Sequence, residues 1–426
     1  MSYAAGIDFA IGQDRHDPCA RFRDEFYFPE KPASAERVLY LCGNSLGLQP
    51  KRAAELVKEE LEDWQRLAVE GHWKARRPWM PYHENLSADL AGLVGARAGE
   101  VVAMNSLTVN LHLMMVSFFR PQQGRHKILI EKPAFPSDRY AVVSQLRFHG
   151  LNAADALIEV APRENETVIR DEDVISLIAE HGNEIALVML PGVQYYSGQL
   201  FDIAAITDEA HRMGCIAGFD LAHAAGNTLL SLHDWDVDFA VWCSYKYLNA
   251  GPGAVAGCFL HERHGRDPSL QRFAGWWGHE KATRFEMGPE FHPIPGVEGW
   301  QLSNPPILAL APLVASLDIF RRARMAQLVT KSRRLSGYLE FLVNTQLHEV
   351  FEIITPKEAS RRGCQISLRL RDGAERGRAL FKRLPDLGVF VDWREPDVIR
   401  AAPVPLYNSF EDVFHFVQLL KRLADS

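Results

Sequence analysis

From about residue 100 the chain alternates short, uniformly apolar runs with segments in which apolar residues recur every three or four positions. The runs EVVA (100–103), KILIE (127–131), ALIEV (156–160), IALVML (185–190), CIAGF (215–219), DFAVWC (238–243) and AVAGCFL (254–260) predict strands. Between several of them, SLTVNLHLMMVSFF, SDRYAVVSQLRFHG and FDIAAITDEAHRMG predict helices. Strands too apolar to have a wet face, alternating with helices, predict an α/β fold built on a mostly parallel sheet covered on both sides.

The pattern differs at the two ends. Residues 1–50 are punctuated by Pro and Gly, finish in LYLCGNSLGLQP, and predict an irregular arm that wraps onto something else. Residues 51–305 form the expected large domain, entered through the helical stretch KRAAELVKEELEDWQRLA. After Pro305 and Pro306 come a long helix, a second helix, short alternating strands (FEIIT, CQISLRL) and helices at 375–384 and 409–424. That succession predicts a smaller α+β domain over 306–426.

Composition narrows the function classes. With 426 residues, 47% hydrophobic and 24% charged, the chain has the make-up of a soluble globular protein. Its net charge of -7 is spread among interspersed residues without a basic stripe, which argues against nucleic-acid and anionic-membrane partners. The N-terminus lacks a cationic and apolar leader and no run reaches a membrane span, so a cytoplasmic protein is expected. Six scattered cysteines without a C-x-x-C pair indicate neither a zinc site nor a disulfide framework.

Ligands of parallel sheets bind beyond the carboxyl ends of the strands, so the residues just after each apolar run carry the candidate chemistry. Asp220 directly follows CIAGF, with His223 and Gly226 behind it, and Lys246 stands between apolar runs in DFAVWCSYKYLNAGPGAVAGCFL. Alone, the first is a helix cap or turn residue and the second a surface turn residue. Together on adjacent strands they match what pyridoxal phosphate requires, a lysine for a Schiff base and an acid that keeps the pyridine nitrogen protonated. The NSLTVN stretch offers small and hydroxyl residues at a helix start, which suits a phosphate and equally suits an ordinary cap. Phe135 in AFPSD is placed either to stack on a cofactor ring or to pack a turn.

Eight stretches in order, LCGNSLG, NSLTVNLH, AFPSDRYA, GFDLAHAAGN, WCSYKYLNAGPG, GWWGHE, QLSNPPIL and IRAAPVPLYNSFED, resemble the kynureninase family over residues 41–412. The resemblance implies a fold-type-I, aspartate-aminotransferase-like architecture and hydrolysis of L-kynurenine or 3-hydroxykynurenine to L-alanine and an anthranilate. It implies that Lys246 forms the Schiff base, that Asp220 holds the pyridine nitrogen, and that His223 lies beside the cofactor. Leu107 and Thr108 match the phosphate side, Phe135 the ring-stacking position with Ser137 and Asp138 close by, and Tyr245 a phosphate-contacting tyrosine and proton relay. Trp276 and Asn304 match contacts that reach the site from a neighbouring subunit, which implies a homodimer. Arg400 matches the arginine that grips the substrate carboxylate, a task suited to its bidentate fork.

His72, Ser303 and Asn304 are expected to supply polar groups for a ring hydroxyl. Pro191 departs from the family pattern, offering neither hydroxyl nor N–H where a serine is common, so one cofactor hydrogen bond is in doubt. The nearest rival is a cysteine desulfurase on the same fold, for which Cys364 is the candidate nucleophile. Its alternation with Ile366, Leu368 and Leu370 instead predicts a core thiol. A nicotinamide-dependent dehydrogenase would need a G-x-G-x-x-G string, and none occurs.

Overall fold

The computed structural model describes residues 3–267 and 269–424. All seven expected strands of the first part form: β1 (Val101–Ala103), β2 (Lys127–Glu131), β3 (Leu157–Val160), β4 (Ile185–Pro191), β5 (Ile216–Asp220), β6 (Phe239–Trp242) and β7 (Gly257–Leu260). They make one sheet in the order β1-β7-β6-β5-β4-β2-β3. Strands β2 to β6 run parallel, while β7 runs against both β1 and β6. After β2 the chain goes outward to β3 and then returns to β4 on the other side. That reversal opens a crevice between β2 and β4 at their carboxyl ends.

Side-chain alternation explains why the strands read as continuous apolar runs. Leu129, Val188, Leu190, Ala217, Phe219, Ala240 and Trp242 enter one apolar cluster. Their neighbours Ile128, Ile130, Leu187, Met189, Phe239 and Val241 enter another, on the opposite face. Helices Glu84–Val94, Asp171–His181 and Ile203–Arg212 cover the first face, and Leu107–Phe118 and Pro136–Phe148 the second. Each fully buried Phe or Leu contributes about 1.5–3 kcal/mol before entropy is counted. A sheet so covered has no free face, and its chemistry is confined to the strand ends.

Past the helices Ile307–Ala323 and Met325–Gln346, four antiparallel strands follow: β8 (Phe351–Ile353), β9 (Ile366–Leu370), β10 (Asp392–Arg394) and β11 (Val398–Ala401), ordered β8-β9-β11-β10. Helices Ala374–Arg383 and Phe410–Ala424 accompany them. The first fifty residues are less irregular than expected. A helix, Ile7–Arg15, forms there, and Ala10, Leu39 and Leu41 share an apolar cluster with Tyr338, Leu368 and Phe416. The helix is only nine residues long and contains Gly12, so tertiary packing rather than propensity holds it. Asp14 accepts hydrogen bonds from the Phe410 and Glu411 amides at 2.8 and 2.9 Å and so caps the last helix. Among the described residues no helix is long and apolar enough to cross a membrane.

Candidate active site

Asp220 closes β5 and Lys246 lies just beyond β6, its hydrogen-bonded neighbour. The Lys246 ammonium, half-buried, sits 3.1 Å from Nε2 of the buried His223. Burial first, and then the charge of Lys246, hold the His223 imidazole well below its usual range, so the ring is neutral and its Nε2 accepts. Asp220 is fixed from both sides. Its carboxylate accepts from the Ala222 amide at 2.6 Å, and its carbonyl accepts from the Gly192 amide at 2.7 Å. Pro191 pairs with Asp220 in the β4–β5 register, and Gly192 supplies the N–H that the proline lacks.

Three carboxyls converge on this rim. Burial and the charge of Asp220 push Asp138 well above its ordinary value, and burial with the same repulsion pushes Glu131, the last residue of β2, up to about 8. Asp220 is itself raised by burial, but the Ala222 N–H, Lys246 and Asp138 oppose that shift. The negative charge therefore concentrates on Asp220, flanked by two neutral acids.

Beside it, helices Leu107–Phe118 and Pro136–Phe148 begin close together. The Thr108 and Ser137 hydroxyls are hydrogen-bonded at 3.0 Å. Ser106 enters the first helix in extended conformation and Pro136 opens the second, so both first turns present N–H groups without helical acceptors. Such an end holds anions. Phe135 meets the Tyr195 ring edge-on at 5.3 Å, and Lys246 Nζ lies 5.8 and 5.9 Å from the Phe135 and Tyr245 ring centres. Burial, then Cys243, raises the Tyr245 phenol, which is protonated at neutral pH.

Arg400, on β11, is wholly buried. It donates to the Tyr195 carbonyl at 2.7 Å, to Ser45 Oγ at 3.3 Å and to the Asp392 carboxylate. Ser45 belongs to the N-terminal LCGNSLG stretch. That stretch continues into Gly47, whose amide donates to the Tyr245 carbonyl at 2.8 Å. A side chain at Gly47 would strike the Lys246 carbonyl and Asn249, so glycine permits this close crossing. Asn44, fully buried, donates to Gln365 Oε1 at 3.2 Å, and Gln365 in turn donates to the Tyr195 carbonyl at 3.1 Å. Sequence reasoning overlooked Glu131, Asn44, Ser45, Tyr195, Asp392 and Arg394. Glu131 carried the same signal as Asp220, an acid ending an apolar run; the others carried none in isolation.

Leu107, Thr108, Phe135, Ser137, Asp138, Asp220, His223, Tyr245, Lys246 and Arg400 thus gather at the strand ends and the crossing arm. His72, Trp276, Ser303 and Asn304 do not join them within one chain. His72 bonds the Val69 carbonyl at 2.9 Å, Trp276 is 43% exposed and bonds the Arg284 carbonyl at 3.0 Å, and Ser303 and Asn304 lie at the surface. Cys364 is fully buried, its thiol pushed up to about 12 by burial, and is a core residue as expected, although it precedes the strand Ile366–Leu370 and packs in the large-sheet cluster while Ile366, Leu368 and Leu370 pack in the other.

A family model described as Kynureninase C-terminal domain matches residues 328–420, and one described as Aminotransferase class-V matches residues 39–264. A kynureninase of Stenotrophomonas maltophilia is 58% identical over 424 residues, covering 100% of both chains. One of Koribacter versatilis is 56% identical over 411 residues, covering 96% of each. The chain belongs to the kynureninase family. These kynureninase chains cover 96% and 100% of its length, whereas two solved structures share the fold at far lower identity. The cystine C-S lyase C-DES, in complex with its product cysteine persulfide, superposes with a TM-score of 0.75 at 19% identity, covering 92% of this chain and 98% of the other. An apo cysteine desulfurase from Thermococcus onnurineus gives 0.69 at 16%, covering 91% and 95%. Those two likenesses concern architecture alone.

Proposed function

We propose that the chain hydrolyses the Cβ–Cγ bond of L-kynurenine, or of 3-hydroxy-L-kynurenine, giving L-alanine and the corresponding anthranilate in tryptophan catabolism, with pyridoxal phosphate as cofactor. Family membership supports the reaction, and one observation carries the site: the meeting of Lys246, a neutral His223 and a singly charged carboxyl cluster at adjacent strand ends. The residues fit the cofactor. Two helix starts present N–H groups without helical acceptors, the Phe135 ring lies beneath the lysine at 5.8 Å, and the buried His223 Nδ1 and Ser244 Oγ have no partner among the described residues.

When bound, pyridoxal phosphate supplies an aldehyde carbon that takes up amines and a pyridinium ring that withdraws electrons from the substrate Cα–H bond. Lys246 would anchor it, and the Lys246 amine is the base placed to remove the α-proton. Asp220 would hold the pyridine N–H, with Asp138 keeping that charge localised beside it. Leu107, Thr108 and Ser137 would hold the phosphate and Phe135 would cover the ring. Arg400 grips the α-carboxylate. The oxygen of water bonds to the γ-carbon, Cβ–Cγ then breaks with its electron pair staying on the Cβ fragment, the proton lost by water recharges Tyr245, and Lys246 returns the α-proton. Tyr245, protonated and beside Lys246, delivers the proton that this fragment takes up.

A homodimer completes the proposal, with Trp276 and Asn304 reaching the neighbour's site and His72, Ser303 and Asn304 meeting a ring hydroxyl. The exposure of Trp276, and of Phe285 edge-on to it at 5.4 Å, supports that reading. The cytoplasm is the proposed location. Borohydride reduction of the holoenzyme followed by peptide mass spectrometry, with an assay for anthranilate release, tests the whole. Pyridoxyl label on Lys246 together with anthranilate formation is expected, and label on another lysine overturns the site. Absence of turnover on 3-hydroxykynurenine removes the role given to His72 and Ser303, and a monomer by light scattering removes the shared site.

A further inference from the structure

We propose that Arg394 is a second contact for the substrate carboxylate, and that Asp392 and Ser45 hold Arg394 and Arg400 together as one paired site for a single carboxylate. The inference rests on the role given to Arg400 above.

Asp392 and Arg394 stand two residues apart on β10 and so share a face, and Asp392 is opposite Arg400 in the β10–β11 register. Arg394 Nη2 lies 3.1 Å from Asp392 Oδ2 and 3.5 Å from Ser45 Oγ. Arg400 Nη2 lies 3.3 Å from the same hydroxyl and bonds the same carboxylate oxygen. Two guanidiniums thus converge on the same two oxygens. Each keeps a buried Nε–H with no acceptor among the described residues. The charge of Arg394 also acts on Tyr195, His223 and Tyr245, which places it within electrostatic range of the Lys246 site.

Counting charges gives the specificity. Two guanidiniums against one carboxylate leave one positive charge and two unpaired donors, the complement of one further carboxylate. Leaving buried cationic donors unpaired is costly, which favours uptake of that carboxylate. Asp392 acts as a resident counter-ion: it sets the fork geometry of both arginines and denies space and charge to a second carboxylate on the ligand.

The test uses holoenzyme, steady-state anthranilate release, and calorimetric titration with acetate and succinate, a readout independent of turnover. Arg394→Gln is expected to raise KM by about 10–100-fold with kcat within about threefold, and to weaken acetate binding by about tenfold. Retention of kcat shows that the variant is folded, and Arg394→Lys is expected to recover part of the lost affinity by restoring charge without the fork. Asp392→Asn is expected to shift preference from acetate to succinate by about tenfold. If Arg400→Gln raises KM while Arg394→Gln changes neither KM nor acetate affinity beyond twofold, the inference fails and the Arg400 assignment stands. If Arg400→Gln also leaves KM unchanged, the underlying assignment fails with it. An Asp392→Asn enzyme with unaltered acetate-to-succinate preference overturns the counter-ion role.

Discussion

Lys246 Nζ and His223 Nε2 are 3.1 Å apart, and the imidazole is neutral, so a half-buried ammonium is satisfied by an uncharged acceptor. Replacing His223 by Phe removes the acceptor at similar volume. Cofactor affinity is expected to fall about 10–100-fold, read as the Kd from tryptophan-fluorescence titration with pyridoxal phosphate. An unchanged Kd would show that the ring only fills space.

Asp138 and Asp220 share one negative charge unequally. Asp220→Asn removes the charge and is expected to cost about 10²-fold in kcat/KM, whereas Asp138→Asn replaces a neutral acid by a neutral amide and costs less than about tenfold. Equal losses in the two variants contradict the assignment of the charge to Asp220.

Glu131 is pushed up to about 8, burial being the larger cause and Asp220 the smaller. Between the ordinary carboxylate range and pH 8 the folded protein holds a proton that the unfolded chain has released, so stability falls as pH rises through that window. Glu131→Gln mimics the protonated acid and abolishes the slope. The variant is expected to be more stable than the parent by about 4 kcal/mol at pH 8, and equal to it near pH 4.5, in thermal melts of the holoenzyme. Parallel pH profiles for variant and parent would refute a neutral Glu131.

Asp14 joins the first helix to the last through two amide hydrogen bonds. Asp14→Ala is expected to weaken this junction by about 1–2 kcal/mol. Because the loss is local, the direct measurement is hydrogen exchange at residues 410–412, where protection should drop while the β5 and β6 amides stay protected. Undiminished protection there would mean that the apolar contacts alone hold the arm.

The linear chain already announced the sheet. Its strands are buried on both faces, so apolar continuity alone marks them, and each of the seven expected runs overlaps an observed strand. It announced Asp220 and Lys246 for a related reason, since an acid or a lysine beside a buried strand needs explaining by local context. The ordered stretches that resemble kynureninases, each read within a few residues, gave the family.

Folding decided what depends on distance and desolvation. Ser45 meets Asp392 and Arg400, themselves eight residues apart, across more than 340 residues of chain, and nothing near Ser45 signals the other two. Neutral Glu131 and Asp138 beside a charged Asp220 follow from burial in one crevice, which no local pattern encodes. Periodicity is a property of neighbours along the chain and survives in the sequence; charge state and long-range pairing are properties of neighbours in space, and they exist only once the arm, the large sheet and β10–β11 have closed around the same site.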